Sequence, residues 1–181
     1  MSFDDKPTLT PPIGPTDHLQ GPANGAITIV EYGDFECPAC EQAYSATLML
    51  RRKYASEVRF VFRHFPLREV HPHAETAAEV SEIAAGQGKF WEMEALLFKN
   101  QLHLKPHALR GYAQMLELDM VRYDAELGDH IYLQRVQEHL ESGKLSGVRN
   151  TPTFFVNGRL VDVSFGIESL FNALEAVRRG R

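Results

Sequence analysis

The sequence predicts an α/β domain built on one sheet and interrupted by a block of helices. Three observations carry this reading. Apolar, strand-like runs occur at Ile27–Tyr32, Val58–Arg63 and Thr153–Val156. Between the second and third runs, residues 70–145 read almost wholly as helix. After the third, Asn157-Gly158 is a tight hairpin turn into Arg159–Val163. With the helical block set aside, a strand–helix–strand crossover pair remains, followed by an antiparallel hairpin and a covering helix.

The elements follow in order. Residues 1–26 hold five of the ten prolines (Pro7, Pro11, Pro12, Pro15, Pro22) and read as an extended arm on the surface. Ile27–Tyr32 reads as a buried strand, and Gly33-Asp34-Phe35-Glu36 as the turn that leaves it. A helix is expected from about Cys37 to Tyr54, because Ala43, Ala46, Thr47 and Leu50 recur at helical spacing. Arg51-Arg52-Lys53 suits the negative end of that helix's dipole. Phe65-Pro66 stops the second strand.

The block then predicts helices over His73–Gln87, Phe90–Asn100, Pro106–Leu116, Asp119–Leu127 and Asp129–Ser142. Trp91, Ala95 and Phe98 mark the inner face of the second, and Asp119 and Asp129 are the expected N-caps of the last two. A final helix over Ile167–Arg178 turns Leu170, Phe171 and Leu174 inward. The organisation is therefore an arm at 1–26, a sheet domain made of 27–69 and 146–181, and an inserted helical subdomain at 70–145.

Composition narrows the function. A chain of 181 residues with 44% hydrophobic and 24% charged residues is an ordinary globular protein. Its net charge of −5 argues against a general binder of nucleic acid or anionic membrane. No segment approaches a membrane span. The start, Met1 to Lys6, is polar with no apolar stretch after it, so the cytoplasm is the expected compartment. There a structural disulfide is not expected, whereas a catalytic or metal-binding cysteine pair is.

The sequence has two cysteines, and they form Cys37-Pro38-Ala39-Cys40 between a strand and a helix. This is the setting of a redox dithiol. With Cys37 at the N-cap, Pro38 falls at the first helical position, where its missing N–H costs nothing. The Cys37 sulfur then faces free backbone N–H groups and the positive helix end, both of which favour a thiolate. Cys40 lies one turn inside, close enough to form a disulfide. The competing reading is a metal half-site. Structural zinc needs four ligands, no second Cys-x-x-Cys exists, and His64, His71 and His73 would have to supply the rest. His71-Pro72-His73 reads instead as a helix start with solvent-exposed imidazoles.

Three segments together resemble one family. They are Val30-Glu31-Tyr32-Gly33-Asp34-Phe35-Glu36 running into the Cys-Pro-Ala-Cys, then Phe62-Arg63-His64-Phe65-Pro66-Leu67, and then residues 147–158 around Thr151-Pro152-Thr153. The chain resembles the DsbA-like thiol–disulfide oxidoreductases of the thioredoxin-fold superfamily. These carry a helical insertion between the βαβ and ββα halves of the fold. The resemblance implies that Cys37 is the nucleophile, Cys40 the resolving thiol, and Pro152 the cis-proline facing the pair. It implies that Glu31 is a buried acid beneath the site. Thr151 would offer its backbone to an extended substrate, and Pro38 would border the bound substrate. Phe35, next to the site, reads either as lining an apolar substrate groove or as core.

The expected function is thus thiol–disulfide exchange with protein or peptide thiols and disulfides and with a redox partner, without a bound cofactor. Two alternatives are a metal- or protein-binding thioredoxin-like module with little turnover, and an isomerase or transferase of small molecules on the same scaffold. Asp34, Glu36 and Glu41 place negative charge around the dithiol. They predict a Cys37 thiol less acidic than in the strongest oxidants of this class.

Overall fold

The computed structural model describes residues 7–180. Residues 1–6, the start of the expected arm, and Arg181 lie outside the described residues. Five strands and seven helices follow in the order β1 His18–Gln20, β2 Ile27–Gly33, α1 Pro38–Lys53, β3 Val58–His64, α2 Ala74–Ala85, α3 Phe90–Lys99, α4 Pro106–Met115, α5 Met120–Gly128, α6 Leu133–Leu145, β4 Thr153–Val156, β5 Arg159–Val161 and α7 Glu168–Arg179. The sheet order is β1-β3-β2-β4-β5. Only β2 and β3 run parallel, in register from Ile27 opposite Val58 to Gly33 opposite His64, and α1 makes the crossover between them. This is a thioredoxin-like fold with α2–α6 inserted between β3 and β4.

Side-chain alternation splits the sheet's two faces. Ile27, Ile29, Phe60, Phe62 and Phe154 belong to the larger core, with Leu50 of α1, Leu170 and Leu174 of α7, and Ile83, Met93 and Leu97 from α2 and α3. Val30, Tyr32, Val61 and Phe155 point the other way, into a smaller core closed by Phe65, Val148 and Leu140. Leu9 and Ile13 of the arm also pack on this second face. The arm therefore crosses the sheet. Thr8 bridges Arg159 at the β5 edge, and β1 pairs antiparallel with β3 at the opposite edge.

Arg63 of β3 anchors the crossing. Its Nε and Nη2 donate to the two Asp17 carboxylate oxygens at 2.7 and 2.8 Å, and its remaining N–H groups reach the Pro11 and Pro12 carbonyls. α6 comes close to the same face at Gly143. A Cβ there would lie 2.6 Å from Phe65 Cδ2 and 3.1 Å from Tyr32 Cδ1. Gly143→Ala is expected to destabilise the fold by about 1–3 kcal/mol in chemical denaturation, because overpacking outweighs the better helix propensity of alanine.

Four local expectations change. The arm contains a strand, β1, where none was expected. β5 ends at Val161, two residues early. Asp119 caps α5 by accepting from the Val121 and Arg122 N–H groups, but Asp129 is not an N-cap. Its own N–H donates to Ala125 O, which ends α5; His130 then turns with φ +50° and α6 begins only at Leu133. On α3 the fully buried positions are Phe90, Met93, Glu94, Leu97 and Phe98, while Trp91 and Ala95 are half-buried. The helix is enclosed on a broader front than one stripe.

Candidate active site

The dithiol sits where β2 ends and α1 begins. Cys37 is the N-cap of α1 in an extended conformation, with Pro38 at the first helical position. Its carbonyl accepts the Cys40 and Glu41 N–H groups. Pro38 and Ala39 are exposed, whereas Cys37 is 6% and Cys40 0% exposed, and both thiols are free. The Cys37 thiol donates to the Thr151 carbonyl at 3.4 Å, and the Asp34 N–H donates to Cys40 Sγ at 3.5 Å. The Thr151–Pro152 peptide bond is cis. Beside them opens a cleft of about 400 Å³ bordered by Ala39, Gln42, Thr151, Pro152 and Ile167.

The two sulfurs differ in acidity. Cys37 is lowered to about 5, first by its bond from the Cys40 thiol and then, against the opposing effect of burial, by the Cys40 and Ala39 N–H groups. Cys40 is pushed well above the ordinary thiol range by burial, by its bond to Cys37, and by the negative charge of Glu31 and Cys37. One thiol is therefore readily ionised and the other is held neutral.

The acidic residues around the pair do not act as expected. Asp34 is buried, and its carboxylate is bonded away from the pair. Its Oδ1 accepts the Glu36 N–H, and its Oδ2 accepts from the Leu67 N–H and from His71 Nδ1, each at 2.8 Å. Glu36 Oε2 accepts the His73 N–H at 2.6 Å, and Glu41 is exposed. The three carboxylates are committed to the loop after β3 or to solvent.

Phe35 needs a correction. The reading that has it line a substrate groove fails, because it is 1% exposed and stacked on Phe62 and beside Phe98, at centroid distances of 5.2 and 5.1 Å. A ring so enclosed offers no face to a substrate, so Phe35 is core. His71, expected to be a solvent-exposed imidazole, is bonded to Asp34. Gln101, in the loop after α3, was not singled out in the sequence. Its Nε2 donates to the carbonyls of Phe35 and Cys37 at 3.0 and 2.8 Å. The segment after β3 thus grips the turn that carries the dithiol through His71, His73 and Gln101.

Glu31 lies on the α1-facing side of β2, 2% exposed. Its neighbours across the sheet are Phe62 and Phe154, and its Oε1 has no hydrogen-bond partner. Burial first, and the Glu94 charge second, push its carboxyl up to about 8.

One grouping among the described residues has metal-ligand chemistry: His18, His64 and Glu82. Both imidazole Nε2 atoms lie 2.7 Å from the same Glu82 Oε1, the spacing of hydrogen bonds. His64 Nδ1 is buried without the acceptor that a metal-bound imidazole needs. The residues fit a pin that ties β1 and β3 to α2 better than they fit an ion. No helix of the described residues is long and apolar enough to cross a membrane.

Fold and sequence together place the protein. Residues 14–176 match the thioredoxin family profile, so the chain belongs to the thioredoxin family. Within that family its architecture is DsbA-like. It superposes on BdbD from Bacillus subtilis with a TM-score of 0.80 at 18% identity, covering 95% of each chain. A thioredoxin-like oxidoreductase from Silicibacter pomeroyi gives 0.80 at 22% identity, covering 92% of this chain and 94% of that one. In sequence, the chain is 45% identical over 173 residues to the Na(+)/H(+) antiporter NhaA 1 of Salinispora arenicola, covering 95% of this chain and 26% of that protein. The NhaA antiporter of Herminiimonas arsenicoxydans is 42% identical over 173 residues, with 95% and 27% covered. The chain thus spans about a quarter of the length of these curated relatives.

Proposed function

We propose that the protein is a thiol–disulfide oxidoreductase in which Cys37 is the nucleophile and Cys40 the resolving thiol. The observation that carries this is the asymmetry of the pair: an acidic thiol beside an open cleft, and a fully buried, weakly acidic one a helical turn away. As a dithiol, the protein attacks a substrate disulfide through the Cys37 thiolate, and Cys40 then displaces the substrate from the mixed disulfide. As a disulfide, it is attacked by a substrate thiolate at Cys37, and Cys40 leaves. The substrates are protein or peptide thiols and disulfides, and a redox partner resets the pair. The cleft beside Pro152 is open enough to admit an extended segment, which supports a polypeptide substrate.

Two features favour the oxidising direction. A Cys37 value near 5 leaves the released thiol almost wholly ionised at neutral pH, which stabilises the reduced form. Glu31, with a value near 8, is a neutral acid at the same pH and can protonate Cys40 as it leaves. Cys40→Ala tests the cycle. It is expected to accumulate mixed disulfides between Cys37 and substrate, visible as thiol-sensitive adducts by mass spectrometry. Undiminished multiple turnover in Cys40→Ala would favour a transferase acting through Cys37 alone.

A further inference from the structure

Glu31 shares its buried surroundings with a second carboxylate. Glu94 of α3 is 2% exposed, and Arg51 of α1 grips it, with Nη1 and Nη2 each 3.1 Å from its Oε2. The Arg51 guanidinium lies 4.7 Å from the Phe60 ring centroid and 5.2 Å from that of Trp91, and Nη1 also reaches Gln20 Oε1 of β1 at 3.1 Å. The strands flanking Glu31 present Phe62 and Phe154 to it, so its charged and titratable neighbours come from the helices. They are Glu94 from α3, and Arg51, Cys37 and Cys40 from α1. Tyr44 of α1 lies farther out, beside Arg51.

Charge counting decides what this arrangement does. Two carboxylates and one guanidinium share a water-poor interior. The guanidinium closes its fork on Glu94, and Glu31 Oε1 is left without a partner. Ionising both acids would leave one buried anion without a counter-ion, which is strongly unfavourable. One proton is therefore retained, and it stays on the carboxyl that Arg51 does not hold.

We propose that Glu94 is a positioning residue for this proton: its Arg51-bound carboxylate keeps Glu31 in the neutral acid form, ready to protonate Cys40. This rests on the role given to Glu31 above. In the step, a substrate thiolate forms a bond to Cys37 Sγ and the Cys37–Cys40 bond breaks. The electron pair departs on Cys40 Sγ. The Glu31 proton moves to that sulfur, leaving a Cys40 thiol and a Glu31 carboxylate, which recovers a proton from solvent. Burial pushes the Glu94 carboxyl up to about 7, and Arg51 opposes that rise.

The test uses the full chain. In the unaltered protein, a ¹³C-carboxyl NMR titration is expected to show Glu94 ionising first and Glu31 second, above neutral pH. Glu31 ionising first, in the ordinary carboxylate range, overturns the proposal. In Glu94→Gln, which keeps the volume and an oxygen for Arg51, the Glu31 titration should move down by a unit or more. The single-turnover reduction of the Cys37–Cys40 disulfide by a peptide thiol at pH 7.5 should then slow about threefold, the change in the protonated fraction for one unit. A Glu31 titration that does not move in Glu94→Gln also overturns it. In a Glu31→Gln background, Glu94→Gln should leave the pH profile of that rate unchanged; a shift there shows that Glu94 acts by another route and overturns the proposal. If Glu31→Gln alone leaves rate and profile intact, the failure lies in the role given to Glu31.

Discussion

Cys37→Ser is expected to reduce disulfide exchange to background, a loss on the order of a thousandfold or more, read with a fluorescent peptide disulfide. A serine hydroxyl suits this N-cap position but would not ionise near neutral pH. It also cannot form the mixed disulfide through which every exchange passes. The variant should therefore stay folded and lose only its chemistry. The same site predicts the pH dependence of the unaltered protein. Alkylation of Cys37 should follow a midpoint near pH 5, while Cys40 stays unreactive until the fold opens. Exchange retained in Cys37→Ser would remove the assignment.

Glu31→Gln is expected to make the protein more stable and its exchange slower. In the unfolded chain a glutamate ionises near its usual value of about 4.3, while in the fold burial holds Glu31 protonated up to about pH 8. Between those values the folded state binds the extra proton. Below the unfolded value the residue costs the fold nothing through ionisation. As pH rises through the window stability falls, and the full loss is reached above the folded value. The amide removes that loss. The gain should be near zero at pH 4 and roughly 3–5 kcal/mol at pH 8 or above. Chemical denaturation at both pH values measures it, and equal gains at pH 4 and pH 8 would show that Glu31 is not a buried neutral acid.

The parts of this site that were legible in the sequence are local. Cys37, Pro38 and Cys40 lie within one helical turn, so their spacing alone states their geometry. Glu31 could be placed through the resemblance, six residues before Cys37, and in the fold strand alternation puts it on the same face as Ile27 and Ile29. The parts that were not legible come from distant elements. Glu94 sits between Met93 and Ala95 in a helix whose aromatic residues announce a core, and only the fold brings Arg51 to it from 43 residues away. His71 and Gln101 read as loop and helix-end residues, since nothing in their own segments points to the carbonyls and carboxylate they meet. Phe35 failed for the opposite reason: adjacency to the cysteines in sequence suggested contact with substrate, and the chain turns the ring inward. β1 escaped notice because His18-Leu19-Gln20 has little strand character of its own. It is extended because β3 offers an edge and Arg63 holds Asp17 beside it.

The route of the arm bears on how the molecule is assembled. Thr8 finds its ladder partner at Arg159, and the Thr10 N–H and carbonyl meet the Ser146 hydroxyl, 136 positions along the chain. No such contact can form until the hairpin and α6 are in place, and closing a loop of that length carries an entropic cost repaid only late. The arm is thus among the last segments to settle. Until it does, the β3 and β5 edges stay open to strands of other molecules. The proline-rich arm works as a clasp, fastened after everything beneath it has been folded.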